Sequence, residues 1–354
     1  MNAARLARLR DELDGLGAGS FLVTNPTNVR WLSGFESSNA ALLVGRERVV
    51  LATDYRYIEA ARSVEGVELH EAERDVGVWL GARLDELADA PVAFESDHVT
   101  VARHEAIAAG GAELVPATGI LLALRATKDD GELAAIRRAA EVVTLAYEQV
   151  AEHGLVGHTE RDIVWLIERT MREAGAEGAS FDAIVGGGPN GALPHHHPGD
   201  RVIERGELVV VDAGARVDGY CSDCTRTFAT GPLPEELARA YEVCRAAQED
   251  ALTAIRPGVN GREVHERAHR AIQEGGFEHL QHGLGHGVGM DVHELPVMRE
   301  GVDAILEESS VVTVEPGIYL AGLGGVRIED LVIVRADDPE ILTLFTKDLV
   351  VLDG

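Results

Sequence analysis

The stretch VVVDAGARVDGYCSDCTRTF, residues 209–228, contains two apolar segments joined by an Asp-Gly pair at 218–219. Such a pair is typical of a two-residue hairpin turn, so the two segments are predicted to pair as antiparallel strands. With that turn, Asp212 lies opposite residue 225, and Asp223 is its diagonal neighbour on the same face. Two carboxylates this close oppose folding unless a cation lies between them. The alternative is one solvent-facing acid on each strand, and this hairpin alone leaves both interpretations open.

A second hairpin repeats the arrangement. The strand-like segments VVTVEPGIYL and GGVRIEDLVIV contain Glu315 and Glu329, and a Gly-rich loop joins them. A turn centred near Leu323 would place residue 315 opposite residue 331, which makes the second acid a diagonal neighbour again. Four carboxylates on the apolar strands of two hairpins are hard to explain as coincidence.

A histidine-rich segment lies between the two hairpins in the sequence. HLQHGLGHGVGMDVHELP presents His279, His282, His286 and His293 among glycines. A buried structural histidine is the commoner explanation for any one of them, but the group together favours a metal or catalytic site. The glycines fit a backbone that must approach a ligand or another chain segment closely.

Four carboxylates and an imidazole form an oxygen-rich set of candidate ligands. Such a set suits hard or borderline divalent ions such as Mn2+ or Co2+ better than a thiolate zinc site does. Two ions about 3.5–4 Å apart can share a bridging water or hydroxide, which is a nucleophile at neutral pH. The carboxylates are therefore predicted to balance metal charge. We expect two divalent ions per subunit, Mn2+ first, with Co2+ or Zn2+ as alternatives.

The bulk composition restricts the class of protein. The chain has 354 residues, of which 45% are hydrophobic and 26% charged, as is ordinary for a soluble globular protein. Its net charge of −28 argues against nucleic acid and anionic membrane surfaces as partners, because both would repel it. No secretory leader and no apolar stretch of membrane-spanning length are recognised, so a cytoplasmic location is expected.

Three cysteines are too few for a disulfide framework. Cys221-x-x-Cys224 could be redox-active, but in a strand these two side chains point to opposite faces. We interpret them as small residues that pack around a strand carrying ligands.

The pattern along the chain indicates two domains. Residues 1–122 alternate between helix-like and strand-like segments, which predicts a smaller α/β domain. The charged, turn-prone segment LALRATKDDGE then predicts a boundary near residue 122. In residues 123–354 helices and strand pairs are interleaved, so we expect an α+β domain with an antiparallel or mixed sheet flanked by helices. The predicted helices are 5–17, 55–63, 76–88, 132–153, 159–175, 234–258 and 261–276, and the predicted strands are 20–25, 40–53, 92–96, 180–186, 207–214, 221–228, 311–320 and 325–335.

Five blocks in the second part resemble the "pita-bread" metallopeptidases, the family of methionine aminopeptidase, aminopeptidase P and prolidase. The blocks are ALPHHHPGDRVIERGELVVVDAGA, GYCSDCTRTF, HGLGHGVGMDVHELP, VEPGIY and GGVRIED. They cover residues 181–335 in the family's order. TNPTNVRWLSGF and LATDYRY are similar to the α/β domain that precedes the catalytic domain in creatinase and the proline-specific members. The resemblance thus implies a pita-bread catalytic domain, residues 123–354, after a creatinase-like domain, residues 1–122.

Carried over to this sequence, the resemblance implies a dinuclear metal site with bridging and terminal ligands. Asp223 and Glu329 would bridge both ions, and Glu315 would also manage the proton of the bridging water. The complete implied ligand set is Asp212, Asp223, His286, Glu315 and Glu329.

The resemblance also implies roles around the substrate. His195 matches a histidine that contacts the substrate and stabilises the reaction intermediate, and His293 matches one beside the scissile amide. His282 and Arg327 match positions that steady the ligands. Phe181 is a candidate wall of a pocket for the pyrrolidine ring. The neighbours of His195 at 196 and 197 are histidines with no counterpart, and we interpret both as loop residues.

Two branches of the family fit this sequence. Methionine aminopeptidase usually lacks the N-terminal domain, and creatinase has lost the metal ligands, which leaves aminopeptidase P and prolidase. Typical prolidases carry an arginine after the His-Glu-x-Pro segment, where it would hold a dipeptide's carboxylate, but Val297 occupies that place here. We therefore predict an Xaa-Pro aminopeptidase that acts on peptides with proline second. The alternatives are an Xaa-Pro dipeptidase and a non-catalytic binding member, and the family implies a homodimer.

Overall fold

A computed structural model describes residues 1–278 and 282–352 of the chain. The chain forms two compact units, Met1–Leu124 and Arg125–Gly354. Across the described residues, no helix combines the length and the apolar character needed to cross a membrane. His279 lies outside the described residues.

The first unit is a mixed six-stranded sheet with helices. Its elements are α1 (Ala3–Leu16), β1 (Ser20–Val23), α2 (Pro26–Ser33), β2 (Ala40–Gly45), β3 (Val49–Thr53), α3 (Ile58–Ala61), β4 (Glu68–Glu71), α4 (Val76–Gly81), α5 (Leu84–Leu87), β5 (Val92–Glu95), α6 (Val101–Ala108), β6 (Leu114–Ala117) and α7 (Ile120–Arg125). The strand order is β4-β3-β2-β1-β5-β6. Strands β1, β2 and β3 pair antiparallel, and β4, β5 and β6 join in parallel. The α/β prediction is confirmed for this part of the chain.

The segment AALLVGRERVVLAT, predicted as strand, is a hairpin. Val44 pairs with Val49, and the N–H of Gly45 donates to the carbonyl oxygen of Arg48 at 2.9 Å. The polar residues between the two apolar runs therefore form the turn, as a change from apolar to charged residues within a strand pattern indicates.

The second unit combines four long helices with short strands. Its elements are α8 (Asp130–His153), α9 (Glu160–Glu173), β7 (Gly178–Ala179), β8 (Ile184–Gly187), the 3-10 helix η1 (Gly188–Ala192), β9 (Leu208–Ala213), β10 (Ala215–Val217), β11 (Tyr220–Cys221), β12 (Cys224–Ala229), α10 (Glu235–Leu252), α11 (Gly261–Glu274), β13 (Gly285–Gly287), β14 (Glu294–Met298), β15 (Val311–Val314), β16 (Gly317–Leu320), β17 (Gly324–Arg327), β18 (Asp330–Ile333) and β19 (Glu340–Ile341). The sheets have the orders β11-β10-β7, β12-β9-β8, β14-β13-β15-β18-β19 and β16-β17.

Helix starts follow the capping chemistry of the sequence. The hydroxyl oxygen of Thr159 accepts a hydrogen bond from the N–H of Asp162, whose carboxylate accepts one from the N–H of Thr159. This capping box at the start of α9 was predicted, and Asp129 and Glu132 form another at the start of α8.

Helices pack on the strands in two separate apolar clusters. Val143 of α8 and Ile163 of α9 belong to a cluster with Val211 of β9. Helices α10 and α11 belong to the other cluster, which includes Leu237 and Val312. Asp212 lies on β9, whereas the other three acids lie in the short breaks between β11 and β12, β15 and β16, and β17 and β18. Helix pairs support these strands through buried apolar side chains, which fixes the backbone from which the four acids project.

The first hairpin has the predicted register. Asp212 of β9 lies opposite Thr225 of β12. The two turn residues, Asp218 and Gly219, have positive φ angles of 51° and 82°. A turn with both central residues at positive φ matches the twist of antiparallel strands, which explains the Asp-Gly pair. Asp223 is consequently the diagonal neighbour of Asp212.

In the second hairpin the predicted register is wrong. The turn is centred on Gly322, whose φ is 76°, rather than on Leu323. Val314 pairs with Asp330 and Gly317 pairs with Arg327, so the strand register on either side of the two acids places Glu315 directly across from Glu329, and not across from residue 331.

The reason lies in the glycines after the turn. Gly324–Arg327 is strand β17, which begins one residue before the predicted strand 325–335. A Cβ atom at Gly325 would lie 2.0 Å from the carbonyl oxygen of Gly191. This glycine is therefore required because β17 packs directly on the backbone of η1, and not because the chain turns there.

Candidate metal centre

A cavity of about 630 Å3 opens beside the two hairpins. Its walls come from strands β9, β13 and β17, from the loop around residue 195 and from the ends of neighbouring strands. The structure brings all ten predicted site residues to this cavity: Phe181, His195, Asp212, Asp223, His282, His286, His293, Glu315, Arg327 and Glu329.

Three of these residues form the tightest group. Asp223, His286 and Glu329 each offer one ligand atom, and these atoms all lie within 4.8 Å of one another. The Nε2 atom of His286 lies 3.6 Å from Oδ2 of Asp223 and 3.3 Å from Oε1 of Glu315. Carboxylate and imidazole groups at these separations can share a cation.

Two carboxylates each leave one buried oxygen without a donor among the described residues. Oδ2 of Asp212 accepts from Arg327 at 2.7 Å, and Oε2 of Glu329 accepts from Thr225 at 2.8 Å. Oδ1 of Asp212 and Oε1 of Glu329 have no hydrogen-bond partner within residues 1–278 and 282–352. Buried acceptors are seldom left in this way, so both oxygens fit ligands of a cation. The carboxylates of Asp212 and Glu329 are therefore suited to bind a divalent metal ion.

The electrostatics of these acids also favour a bound cation. Burial, followed by the charges of neighbouring carboxylates, raises the pKa of both Asp223 and Glu329 well above its ordinary value. Burial also raises the pKa of Asp212, against the opposing charge of Arg327. A cation between these groups would offset the repulsion and keep them ionised.

His286 and Glu315 stabilise each other in charged form. Burial acts to lower the pKa of His286, but the hydrogen bond and charge of Glu315 outweigh it and raise that pKa. Burial acts to raise the pKa of Glu315, but the hydrogen bond and charge of His286, together with the charges of His282 and Arg327, outweigh burial and lower that pKa. Metal binding would replace the imidazole proton, since only a neutral ring nitrogen can be a ligand.

Arg327 connects the acids to the surrounding loops. Besides Asp212, its guanidinium donates to the Thr225 hydroxyl at 3.0 Å, the Pro194 carbonyl at 3.2 Å and the Tyr319 hydroxyl at 3.1 Å. Tyr319 also bonds to Nε2 of His282 at 2.9 Å. His282 and Arg327 thus meet at one hydroxyl group, as expected of residues that orient ligands.

Tyr319 is a site residue that sequence reasoning missed. Glu315, Gly317 and Tyr319 alternate along one strand direction, so the side chain of Tyr319 projects on the same side as Glu315. This period of two was the available signal. Burial raises the pKa of Tyr319 to about 12, so it remains a neutral hydroxyl group.

The substrate side of the cavity carries the remaining histidines. The ring of His293 lies edge-on to His286 with centroids 4.4 Å apart, and burial lowers its pKa. His195 is exposed beside it. His196, interpreted as a loop residue only, places its Nε2 atom 2.8 Å from the buried carboxylate of Glu160. Sequence reasoning missed this pair because the partners are far apart in the chain.

Position 297, where typical prolidases carry an arginine, lies in a strand beside the cavity. Val297 pairs with His286 in the sheet and does not belong to the cavity lining, as far as the described residues go. Arg299, two residues later, does line the cavity. The prediction from the sequence considered position 297 and did not consider Arg299.

The glycines of the histidine-rich segment bring strands together. A Cβ atom at Gly285 would lie 2.0 Å from the carbonyl oxygen of Thr313, and one at Gly287 would lie 2.1 Å from that of Leu295. Of the two uses predicted for these glycines, close approach to another chain segment is the one the structure shows.

A buried cluster of carboxylates and one imidazole in a cavity is a donor set that divalent metal ions bind, and comparison with known proteins gives the family. Residues 134–336 match the metallopeptidase family M24, and residues 5–127 match the creatinase/prolidase N-terminal domain. The chain belongs to metallopeptidase family M24. The predicted family and the predicted pita-bread fold are therefore confirmed.

Similar proteins extend over the whole chain. An uncharacterized peptidase of Bacillus subtilis is 34% identical over 98% of this chain and 100% of its own length. The solved structure of an Xaa-Pro dipeptidase from Bacillus anthracis has a TM-score of 0.95 at 34% identity, over 99% of both chains. That of an X-Pro aminopeptidase from Thermotoga maritima has a TM-score of 0.90 at 34% identity, over 98% of this chain and 99% of its own.

Proposed function

We propose that this protein hydrolyses the Xaa-Pro bond at the N-terminus of peptides and depends on two divalent metal ions, most suitably Mn2+. The observation that carries the proposal is the set of buried carboxylates beside His286. Two of their oxygens, Asp212 Oδ1 and Glu329 Oε1, find no hydrogen-bond partner in the part of the chain that the structure describes. Membership of a metallopeptidase family and similarity to Xaa-Pro peptidases support the reaction and the substrate.

We assign the metal ligands as Asp212, Asp223, His286, Glu315 and Glu329. When bound, two divalent cations polarise the scissile carbonyl group and make water a nucleophile at neutral pH. Glu315 holds the proton that the attacking water loses, because its carboxylate borders the cavity beside the other acids.

The histidines complete the proposed site. His195 donates a hydrogen bond to the developing negative charge, and His293 donates to the leaving nitrogen, since both line the cavity. Burial lowers the pKa of His293, so the neutral ring donates through one nitrogen only. Phe181 forms the apolar wall against the proline ring.

Peptide length separates an aminopeptidase from a dipeptidase. We propose an aminopeptidase because Val297 replaces the arginine expected of a dipeptidase at that position. One observation favours the dipeptidase as a second candidate: the guanidinium-bearing Arg299 borders the cavity and could bind a terminal carboxylate.

Hydrolysis of Ala-Pro and Ala-Pro-Pro by chelator-stripped protein, with and without added Mn2+, tests both candidates. We expect Mn2+-dependent release of alanine from the tripeptide and little from the dipeptide. Preference for Ala-Pro, lost in an Arg299→Gln variant but kept in Arg335→Gln, would establish the dipeptidase. No cleavage of either peptide with two metals bound would reject the Xaa-Pro activity and favour the binding member.

Three further assignments belong to this proposal. We propose residues 1–122 and 123–354 as the N-terminal and catalytic domains, and a homodimer as the assembly. A cytoplasmic location is supported by the free state of all three cysteines, which are buried as thiols.

A further inference from the structure

Glu160 is a fully buried acid outside the proposed set of metal ligands. It is 0% exposed, at the first position of helix α9. Oε1 accepts hydrogen bonds from the Gly187 N–H at 3.0 Å and from Nδ2 of Asn190 at 2.8 Å. Oε2 accepts from Nε2 of His196 at 2.8 Å and from the Gly199 N–H at 3.2 Å. All four donors come from one segment, residues 187–199.

These donors hold both ends and the middle of the segment that carries His195. Gly187 and Gly199 are its ends, so one carboxylate closes it into a compact loop. On one side of His195, the carbonyl group of Pro194 accepts from Arg327. On the other side, the ring of His196 donates to Glu160. Both neighbours of His195 are therefore fixed by buried charged groups.

Helix capping does not account for this carboxylate. The start of α9 already has a capping box formed by Thr159 and Asp162, whose side chains are on the solvent side. Glu160 instead points away from its own helix to the loop. Burial acts to raise its pKa, but the hydrogen bonds from His196, Asn190 and the loop backbone outweigh burial and lower that pKa. The group is thus an ionised acceptor that all four donors require.

We propose that Glu160 is a positioning residue that, through His196 and the backbone of residues 187–199, holds His195 in place at the cavity. The inference rests on the proposed function for its catalytic consequence only, since the order of the loop can be measured without any substrate.

Glu160→Gln in the full-length protein tests the proposal. The amide keeps the size of the side chain but places N–H groups against N–H donors, so about half of the contacts are lost. By hydrogen–deuterium exchange mass spectrometry, with and without Mn2+, we expect at least about tenfold faster exchange in peptides covering 187–199. For Ala-Pro-Pro we expect kcat to fall by about 10- to 100-fold with little change in KM, because small misplacement of a group affects the transition state most.

Asp162→Asn is the matched control, because it removes a carboxylate from the same helix start without touching the loop. It should leave exchange in 187–199 and kcat unchanged. His196→Gln, which keeps an N–H donor for Glu160, should retain more activity and loop protection than His196→Ala.

Glu160→Gln with unchanged loop exchange would overturn the proposal, as would faster exchange throughout residues 125–354, which would indicate a general structural role. Equal losses in His196→Gln and His196→Ala would also contradict it. If the wild-type protein cleaves neither peptide, the proposed function fails, whereas faster loop exchange in Glu160→Gln would still support the positioning of His195.

Discussion

Arg327 is the residue on which ligand geometry depends most directly. Its guanidinium satisfies acceptors on four different residues, among them the metal-site acid Asp212. Lysine keeps the charge but has a compact head that cannot reach all four acceptors. We expect Arg327→Lys to lower metal affinity or kcat/KM about 10- to 100-fold, as losses around metal ligands commonly do. Calorimetric Mn2+ titration of stripped protein and peptide kinetics measure both quantities.

Arg335→Lys is the control for this substitution. Arg335 pairs with Glu340 and has no part in the cavity lining among the residues that the structure describes. Equal metal affinity and equal kinetics in Arg327→Lys and Arg335→Lys would contradict the role given to Arg327.

The buried acids destabilise the metal-free protein in a pH-dependent way. The folded pKa of Glu329 is raised well above its ordinary 4.5, by burial and then by Glu315 and Asp212. A raised folded pKa means that its stabilising contribution is complete below the ordinary value and is lost as pH rises through the folded value. In chelator, Glu329→Gln should therefore be more stable than wild type at pH 7.5, by on the order of 1 kcal/mol or more, and less so at pH 5.

Urea unfolding in chelator at both pH values measures this difference. Glu340→Gln should show the opposite sign at pH 7.5, because Arg137 holds the pKa of Glu340 at about 2 and the ionised form is the stabilising one. With Mn2+ added, the gain in Glu329→Gln should disappear, since the wild type alone keeps the complete ligand set. A Glu329→Gln protein that is less stable in chelator at pH 7.5 would reject this account.

At the scale of elements, strand β17 depends on a glycine contact. A Cβ atom at Gly325 would lie 2.0 Å from a backbone oxygen of η1, whereas one at Gly322 would meet nothing within 4 Å. Gly325→Ala must displace backbone and should cost several kcal/mol, on the order of the larger overpacking losses, about 3. Gly322→Ala adds only the strain of a positive φ, about 1 kcal/mol. Urea unfolding compares the two, and equal losses would contradict the contact.

Local chemistry determined which elements the sequence predicted well. The first hairpin was predicted in register because the Asp-Gly pair at 218–219 specifies its own turn. The second register was wrong by two residues on one strand, because the turn was centred one residue beyond Gly322. Glycines at 322, 324 and 325 lie so close together that the sequence does not show which of them turns the chain. Strand β13 was missed because glycines that permit close strand contact resemble loop residues. Strand β14 contains no glycine, and it was missed because a proline, Pro296, lies in its middle and argues against a strand.

The candidate site was predictable to the extent that its residues fall in recognisable blocks. All ten predicted residues line the cavity. Glu160 and Arg299 were missed because each depends on a contact or a position that only the folded chain defines. Tyr319 was missed although its spacing of four residues from Glu315 along one strand direction was a signal in the sequence. Their proposed roles remain predictions for the measurements above.

At the scale of the whole molecule, all proposed metal ligands belong to the unit Arg125–Gly354. That unit contains two buried apolar clusters of its own, and the unit Met1–Leu124 contains a third. Separate cores are what independently folding domains require. Metal should therefore stabilise one unit and not the other.

Fragments of residues 1–124 and 125–354, studied beside the full chain, test this division. At a free Mn2+ concentration of about 100 times Kd, the fragment 125–354 should gain about 2.7 kcal/mol per independent site, because the ion binds the folded form only. The fragment 1–124 should gain nothing, and a variant of 125–354 with Asp223→Asn and Glu329→Gln should respond as weakly. Thermal unfolding followed by circular dichroism measures each gain. A metal response in the full chain that is missing from a folded 125–354 fragment would show that the metal centre needs residues of the first unit as well.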